Sequence, residues 1–379
     1  MAPSMGGGIG RNMLNLARQW VRFGVDVEVL LQDFSGTFVG QLPPEVVKVP
    51  LGTTNSITGV PALAYYLFRS KPDVLLTTST RHTVTAVRAR ALIRSRTRIF
   101  VNIHNTLSRA LGELSSKKAK SRLKAIKRSY PVCDGIIPVS EGVESDFREV
   151  THIRDSCYRV IYNPVDFSHL QALSRKPDPE LHAFRKPGVP LLATVARLVP
   201  QKNIPLLLEA FALLRRNRMA QLVIVGDGKN REQLEEMAEE SPFAEDILFM
   251  GSRLNPFNIM AASDAVVLSS SWEGLGNVLI EAMVLGVPVV STDCPHGPGE
   301  VLESGRWGPL VAMDDPEALA AGMISVLDDP HSPESLNEAV AHMGAEAIAR
   351  EYLAAFGICE VDPEARRDVK GLEGNLEAE

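Results

Sequence analysis

Two carboxylates frame a glycine-containing segment in the last third of the chain. Seven residues separate Glu273 from Glu281, and Gly274 and Gly276 lie between them. Carboxylates accept hydrogen bonds from hydroxyl groups, and a glycine loop that opens a helix offers unpaired N–H groups to an anion such as a diphosphate. The combination predicts a site for a ligand that carries both hydroxyl and phosphate groups. For either carboxylate alone, a solvated glutamate on an ordinary helix is the simpler interpretation.

Two cations and a histidine add to this chemistry. Arg197 and Lys202 lie on one predicted strand-to-helix loop. A guanidinium there would bind phosphate oxygens in pairs, and an ammonium would act as a point charge. Each cation by itself is typical of a protein surface. His104 follows a predicted strand at 98–103, and ligands of α/β sheets bind at the carboxyl ends of strands; a structural role is the alternative for this histidine.

Strands and helices must position these groups. The apolar, β-branched run at 265–268 predicts a buried parallel strand, and Asn277 to Leu285 predicts a helix that Gly286 closes. Further strands are predicted at 25–31, 72–78, 98–103, 134–140, 158–163, 191–195, 222–225, 247–250 and 287–290, and further helices at 12–23, 117–130, 316–327 and 339–356. This alternation predicts an α/β protein built from two doubly wound, Rossmann-like domains.

Length and composition set limits on the class of protein. The chain has 379 residues, of which 45% are apolar and 23% charged, which suits two domains of a soluble globular protein. No C-x-x-C metal motif occurs, and the wide spacing of the cysteines disfavours a disulfide framework. These cysteines are Cys133, Cys157, Cys294 and Cys359. No apolar run reaches transmembrane length and no signal-peptide pattern is visible, so we expect a cytoplasmic protein.

The segment E-G-L-G-N-V-L-I-E-A, followed by G-V-P-V-V, resembles the E-x7-E motif of the retaining glycosyltransferases of family 4. The loop T-D-C-P-H-G-P-G-E-V-L, from Thr292 to Leu302, is similar to one in many bacterial members of that family. The resemblance covers almost the whole chain and is strongest from Val195 to Val311. It implies the GT-B fold, in which two Rossmann-like domains face each other across a cleft.

The resemblance also implies a reaction and its partners. The donor would be a nucleotide-diphosphate sugar, with UDP the expected nucleotide. The acceptor would be a saccharide or a lipid-linked molecule in bacterial polysaccharide or glycoconjugate biosynthesis. No metal, other cofactor or nucleic acid is expected to take part. In a retaining reaction without a dedicated nucleophile, the departing phosphate would accept the acceptor's proton during attack from the same face; a covalent role for Glu273 is the less favoured route.

The family's functional residues map onto positions of this chain. His104 and Glu273 would contact the donor sugar, Glu281 would bind the ribose hydroxyls, and Arg197 with Lys202 would bind the diphosphate. The complete expected donor-binding set is Arg197, Lys202, Gly226, Arg253, Leu275, Gly276, Asn277 and Glu281. Gly8 and Gly10 are expected in a glycine loop on the acceptor side.

The predicted domain organisation follows composition and the resemblance. Residues 1–170 would form the acceptor domain, 171–188 a proline-containing linker, and 189–338 the donor domain. A helix within 339–362 would return to the first domain, and 363–379 would be a disordered tail. The chain begins with only Met1-Ala2-Pro3 ahead of the first glycines, so the first strand is either shortened or unusually brief.

Charge is distributed unevenly along the chain. Residues 1–170 contain 23 Lys and Arg against 13 Asp and Glu, a balance of +10, whereas the remainder contains 17 against 33, a balance of −16. A basic half predicts an anionic partner. The basic helix at 117–130 places Ala119, Leu123, Ile126 and Tyr130 on one apolar stripe. Either its lysines are only solvated, or this face docks on anionic lipid and makes the protein peripheral at the inner face of a membrane.

Three functions other than sugar transfer share some of these sequence features. A dehydrogenase is disfavoured because the glycines from Gly6 to Gly10 lack the third glycine of the dinucleotide fingerprint, although Asp33 is near its acidic position. A glycoside hydrolase needs two carboxylates at the scissile bond, and here one would be occupied by ribose. A nucleotide-sugar sensor without transfer activity remains the alternative, and a donor-hydrolysis assay with and without acceptors distinguishes it.

Overall fold

The computed structural model describes residues 7–31, 36–52, 58–154 and 157–358. The chain divides into two compact units. Unit 1 contains Met1–Val165 and Met343–Glu379, and unit 2 contains Asp166–His342. The predictions for Met1 to Pro3, for Asp33 and for the tail at 363–379 lie outside the described residues.

Unit 1 contains two parallel sheets covered by helices. Its strands are β1 (Glu28–Leu31), β2 (Val47–Pro50), β3 (Val74–Thr77), β4 (Arg98–Ile103) and β5 (Gly135–Pro138), paired as β1-β2 and as β3-β4-β5. Its helices are α1 (Gly7–Arg22), α2 (Gly59–Ser70), α3 (Thr80–Ile93), α4 (Leu107–Gly112), α5 (Ser116–Ser129) and α6 (Glu141–Thr151), with α16 (Ala345–Phe356) from the end of the chain. The strand β4 is largely buried, as expected for a parallel strand covered on both faces.

Unit 2 is built around one six-stranded parallel sheet in the order β11-β10-β9-β6-β7-β8. The strands are β6 (Leu191–Val195), β7 (Gln221–Val225), β8 (Ile247–Gly251), β9 (Ala265–Leu268), β10 (Val289–Thr292) and β11 (Leu310–Val311). The helices are α7 (Phe167–Ser174), α8 (Pro179–Phe184), α9 (Ile204–Asn217), α10 (Arg231–Glu239), α11 (Phe257–Ala261), α12 (Asn277–Val284), α13 (Pro298–Val301), α14 (Pro316–Asp328) and α15 (Pro333–Val340). The stretch predicted as a linker, 171–188, therefore contains the end of α7 and all of α8.

The structure corrects three sequence predictions. The predicted strand at 158–163 is not a regular strand, although Tyr158 forms an isolated parallel bridge with Ile136 and three backbone hydrogen bonds join 157–161 to β5. The predicted glycine loop with Gly8 and Gly10 is already helical from Gly7, because the amphipathic helix α1 extends into the glycines. The predicted final helix from Ala339 is interrupted, and α16 begins only at Ala345.

The interruption of the final helix has a local cause. Gly344 is extended and forms a parallel bridge with Val165. The N–H of Ala345 donates to the carbonyl of Val165 at 2.8 Å, and the N–H of Val165 donates to Met343 at 3.1 Å. These hydrogen bonds replace the helical ones at that point. Beyond them, α16 packs within unit 1, where the Trp20 indole N–H donates to the carbonyl of Ala349 at 3.1 Å.

Candidate functional site

The strand order of unit 2 reverses between two neighbouring strands. From β6 the chain moves outward to β7 and β8, and it then returns to the other side of β6 through β9, β10 and β11. Ligands of open parallel sheets bind outside the carboxyl ends of the strands at such a reversal, because the loops there diverge and leave a crevice. The two loops at this reversal carry Arg197 with Lys202, after β6, and Glu273, after β9.

Lys202 and Glu273 form an ion pair at this point. The Lys202 ammonium contacts Oε1 of Glu273, and the two side chains are only 15% and 9% exposed. The same carboxylate oxygen accepts a hydrogen bond from the Ser270 hydroxyl at 2.7 Å. Because a partly desolvated ion pair needs well-placed hydrogen bonds to hold its geometry, these contacts define a fixed cation and carboxylate side by side.

The two cations predicted for the diphosphate differ in their surroundings. Lys202 ends a short 3-10 turn from Pro200 and is held by the pair with Glu273. Arg197 lies on the same loop directly after β6, and its side chain is exposed. The loop therefore carries one anchored cation and one that is accessible to a ligand.

The predicted glycine loop leads into α12, as expected. Gly276 has φ of +87°, a left-handed conformation that favours glycine, and it precedes the first helical residue, Asn277. Leu275 is buried at 2% exposure, and Glu281 lies in the helix at 8% exposure. The eight-residue helix α12 thus starts beside the β9 loop and presents its first N–H groups there.

Gly226 is required by the backbone around it. A side-chain carbon at this position would lie 1.7 Å from the carbonyl oxygen of Ala196, and φ is +147°. The end of β7 thus lies directly against the loop that carries Arg197. Gly226 therefore packs against the neighbouring loop, and its assignment to the donor stays a prediction.

Arg253 has a partner that sequence reasoning missed. Its guanidinium pairs with Glu180 of α8, within the stretch predicted as a linker. Its Nε is buried and has no hydrogen-bond partner among the described residues. Nearby, a side-chain carbon at Gly251 would lie 3.0 Å from Nη1 of Arg231. No sequence signal indicated this pair, because α8, with Glu180 in its first turn, lies in the stretch predicted as a linker.

In unit 1, His104 follows β4, as predicted. Both ring nitrogens are buried, and the Asn163 side chain lies close enough to act on the ring. Burial lowers the pKa of His104 to about 4, and the Asn163 side chain opposes this shift. The imidazole is therefore neutral near pH 7, with one nitrogen able to donate and the other able to accept. Gly8 and Gly10 lie in the first turns of α1.

Titration of His104 should show this burial directly. Its ring should titrate near pH 4 in a nuclear magnetic resonance experiment, well below the ordinary value of 6.5. Because the folded pKa lies below the unfolded one, the unfolded chain binds more protons between the two values. The resulting stabilisation is complete above pH 6.5 and is lost as the pH falls towards 4. His104→Ala should reduce this pH dependence in acid unfolding; titration near 6.5 would contradict the prediction.

The described ranges contain neither a membrane-spanning helix nor a cluster of metal-binding side chains. No helix there combines the length and the apolar composition that crossing a bilayer requires. No group of three or more His, Cys, Asp or Glu side chains in the same ranges is arranged to hold a metal ion.

Both halves of the chain match known protein families. Residues 6–169 match the family described as Glycosyltransferase Family 4, and residues 182–343 match the family described as Glycosyl transferases group 1. One relative is N-acetylgalactosamine-N,N'-diacetylbacillosaminyl-diphospho-undecaprenol 4-alpha-N-acetylgalactosaminyltransferase of Campylobacter jejuni. It is 30% identical over 200 residues, which are 53% of this chain and 52% of the relative. The chain spans about half the length of the curated relatives that it matches.

Solved structures show the same fold over nearly the full length. A glycosyltransferase from Rickettsia africae superposes with a TM-score of 0.77 at 17% identity and covers 92% of this chain and 94% of its own. HepE of Anabaena, in complex with UDP, superposes with a TM-score of 0.74 at 20% identity and covers 93% and 96%. The GT-B fold predicted from the sequence is therefore confirmed.

Proposed function

The chain belongs to family 4 of the glycosyltransferases and has the GT-B fold, and from this we propose that it is a retaining glycosyltransferase acting on a nucleotide-diphosphate sugar. The acceptor that we propose is a saccharide or a lipid-linked molecule of a glycoconjugate pathway. The observation that supports the proposal most directly is the meeting of Lys202 and Glu273 where the strand order of unit 2 reverses. UDP is the nucleotide that we propose first, because the HepE structure was solved with UDP.

The central step is departure of the nucleoside diphosphate. The bond between the anomeric carbon and the phosphate oxygen breaks, and its electron pair leaves with the diphosphate. Arg197, Lys202 and the N–H groups at the start of α12 would stabilise the charge that develops there, since preorganised donors act most strongly where charge grows. No metal ion is needed in this scheme.

The acceptor hydroxyl then completes the exchange. Its oxygen forms the new bond to the anomeric carbon on the face that the phosphate leaves, and its proton passes to the departing phosphate oxygen. A covalent bond to Glu273 is disfavoured, because its Oε1 already accepts from Lys202 and Ser270. Glu273 instead suits a hydrogen bond to a donor-sugar hydroxyl.

Thermal unfolding with a panel of nucleotide sugars tests this proposal. A donor that binds only the folded protein raises the melting temperature, and the increase grows with the ratio of its concentration to its Kd. The donor that stabilises most is then incubated with and without candidate acceptors, and release of nucleotide and transfer of sugar are measured. Stabilisation with neither hydrolysis nor transfer would favour the nucleotide-sugar sensor, and no stabilisation by any nucleotide would contradict both functions.

We also propose that α5 of unit 1 contacts an anionic lipid surface. Ile126 is buried, whereas Lys120, Lys124 and Lys127 are exposed. The apolar stripe therefore packs inside the unit and leaves the cations accessible, which suits either simple solvation or electrostatic docking. Each cation near an anionic leaflet contributes about 1 kcal/mol, and salt screens this attraction.

Cosedimentation with anionic liposomes should separate the two interpretations of α5. We expect binding at low salt that weakens as salt rises, and loss of binding when Lys120, Lys124 and Lys127 are changed to Glu. A matched control changes three exposed cations of unit 2, Arg175, Lys176 and Arg216, to Glu, with the same change in net charge. Equal loss in both triple variants, or no binding by the wild type at low salt, would remove α5 as a docking surface.

A further inference from the structure

Two adjacent serines follow β9 directly and contact both members of the ion pair. Ser269 and Ser270 are 1% and 0% exposed. The Ser269 hydroxyl donates to the backbone carbonyl of Lys202 at 2.8 Å. The Ser270 hydroxyl donates to Oε1 of Glu273 at 2.7 Å. Successive side chains of extended backbone point to opposite sides, so each serine reaches a different partner.

Further hydrogen bonds fix these serines in place. The Thr292 hydroxyl of β10 donates to the carbonyl of Ser270 at 2.6 Å. On the other side, the N–H of Ser271 donates to the carbonyl of Gln201 at 2.9 Å, and the Gln201 amide donates to the carbonyl of Trp272 at 2.8 Å. The loop after β6 and the loop after β9 are thus joined through both side-chain and backbone atoms.

The two serines have different roles because the groups that accept their hydrogen bonds differ. Ser270 binds a carboxylate, and a hydrogen bond to a charged group contributes more than one between neutral groups. Without its hydroxyl, Glu273 would keep Lys202 as its partner and lose one of the contacts that fix its rotamer. Ser269 binds backbone, so its loss would loosen the turn that carries Lys202 and leave the carboxylate contact in place.

We propose that Ser269 and Ser270 are positioning residues that couple the diphosphate-binding loop to the sugar-facing carboxylate. The proposal rests on the transferase function given above. Through Ser270, the carboxylate is held ready for a hydroxyl of the sugar. Through Ser269, the Lys202 turn is held ready for the diphosphate. One dipeptide therefore fixes both the turn that carries Lys202 and the carboxylate of Glu273.

The two serines can be separated by comparing nucleotide binding with turnover. Ser270→Ala should lower kcat about 10- to 100-fold, as for losing a hydrogen bond to a charged group, and leave the Kd for UDP within about twofold. Ser269→Ala should raise the Kd for UDP about 3- to 10-fold, as for losing a neutral hydrogen bond. Ser270→Thr keeps the hydroxyl and should recover most of the lost kcat.

A third buried serine provides the matched control. Ser263 is 8% exposed, and its hydroxyl donates to the carbonyl of Ile259 at 2.8 Å, away from the ion pair. Ser263→Ala should lower the melting temperature as much as the other two variants and leave kcat and Kd unchanged. UDP binding is measured by calorimetry. Turnover is measured with the nucleotide sugar of the panel that raises the melting temperature most.

The outcomes distinguish this coupling from the function on which it rests. If the wild type binds UDP and transfers sugar but Ser270→Ala behaves like Ser263→Ala, the coupling is wrong and the transferase function stands. If Ser270→Thr is as impaired as Ser270→Ala, the hydroxyl does not position Glu273, and the coupling is again wrong. A wild type that binds neither UDP nor any other nucleoside diphosphate overturns the function and the coupling together.

Discussion

Lys202→Ala is expected to lower the rate of sugar transfer by about 10²- to 10³-fold, the loss typical of one preorganised donor to a developing anion. The structure adds a second reason for a large effect. The substitution removes a cation from beside the diphosphate and also leaves the buried carboxylate of Glu273 without its ion-pair partner. We therefore expect Lys202→Ala to reach the upper part of this range.

Arg197→Ala should lower the rate of sugar transfer within the same range, but it leaves the ion pair between Glu273 and Lys202 intact. Because Arg197 is exposed on its loop, its removal should barely change the melting temperature. Arg216→Ala, an exposed cation on α9, is the control for a general loss of charge. Steady-state kinetics with the identified donor measures all three variants. Turnover within a few-fold of wild type for both Lys202→Ala and Arg197→Ala would remove the diphosphate assignment.

Glu273→Gln is the second substitution with a large expected effect, about 10²- to 10³-fold in turnover. The amide keeps the shape of the side chain and can still accept from Ser270, but it no longer balances the charge of Lys202. The freed Lys202 ammonium should then bind the diphosphate at least as well as before. Calorimetry is therefore expected to show an unchanged or lower Kd for UDP alongside the loss of turnover.

Glu281→Ala serves as the contrasting variant for Glu273→Gln. Glu281 lies in α12 at 8% exposure and is proposed to bind ribose. Its removal should therefore weaken the binding of UDP about 10- to 100-fold, as for losing hydrogen bonds to a charged acceptor. Equal losses of UDP affinity in the two variants would contradict the division of roles between these carboxylates.

A double-mutant cycle measures the ion pair itself. Residues in direct contact give interaction energies of about 0.5–3 kcal/mol, whereas distant residues give additive effects. Lys202→Ala and Glu273→Gln should therefore be strongly non-additive in turnover. Arg216→Ala combined with Glu273→Gln should be additive. Additivity of the first pair would mean that Lys202 and Glu273 act independently once the donor is bound.

Much of the local structure followed from the sequence. The strands β4, β6 and β9 begin and end where their apolar runs predicted, since a parallel strand covered on both faces reads as a continuous apolar segment. Ser140 caps α6 by accepting from the N–H of Val143, as a serine immediately before a helical pattern favours. The sequence predicted a glycine loop around Gly276, and the left-handed conformation of this residue was visible only in the structure.

Other elements depended on contacts that local patterns do not contain. The helical pattern of 339–356 continues through Gly344, and only the bridge to Val165 interrupts it. The apolar residues at 158–163 favour a strand, and three backbone hydrogen bonds join 157–161 to β5, but the segment forms only one isolated bridge there. The glycines at the start of α1 suggested a loop, and the amphipathic helix that follows extended into them.

The candidate site shows most clearly which features followed from the sequence and which depended on tertiary contacts. The sequence by itself determined which residue types are present, with Arg197, Lys202, Glu273 and Glu281 at family-like spacing on strand-to-helix loops. Only the tertiary structure decided that Lys202 and Glu273 pair with each other, because they lie 71 positions apart in the chain and the order of strands β6 and β9 brings them together. Hydrophobic periodicity encodes which face of an element is buried, whereas the neighbours across a parallel sheet are set by how the whole sheet assembles.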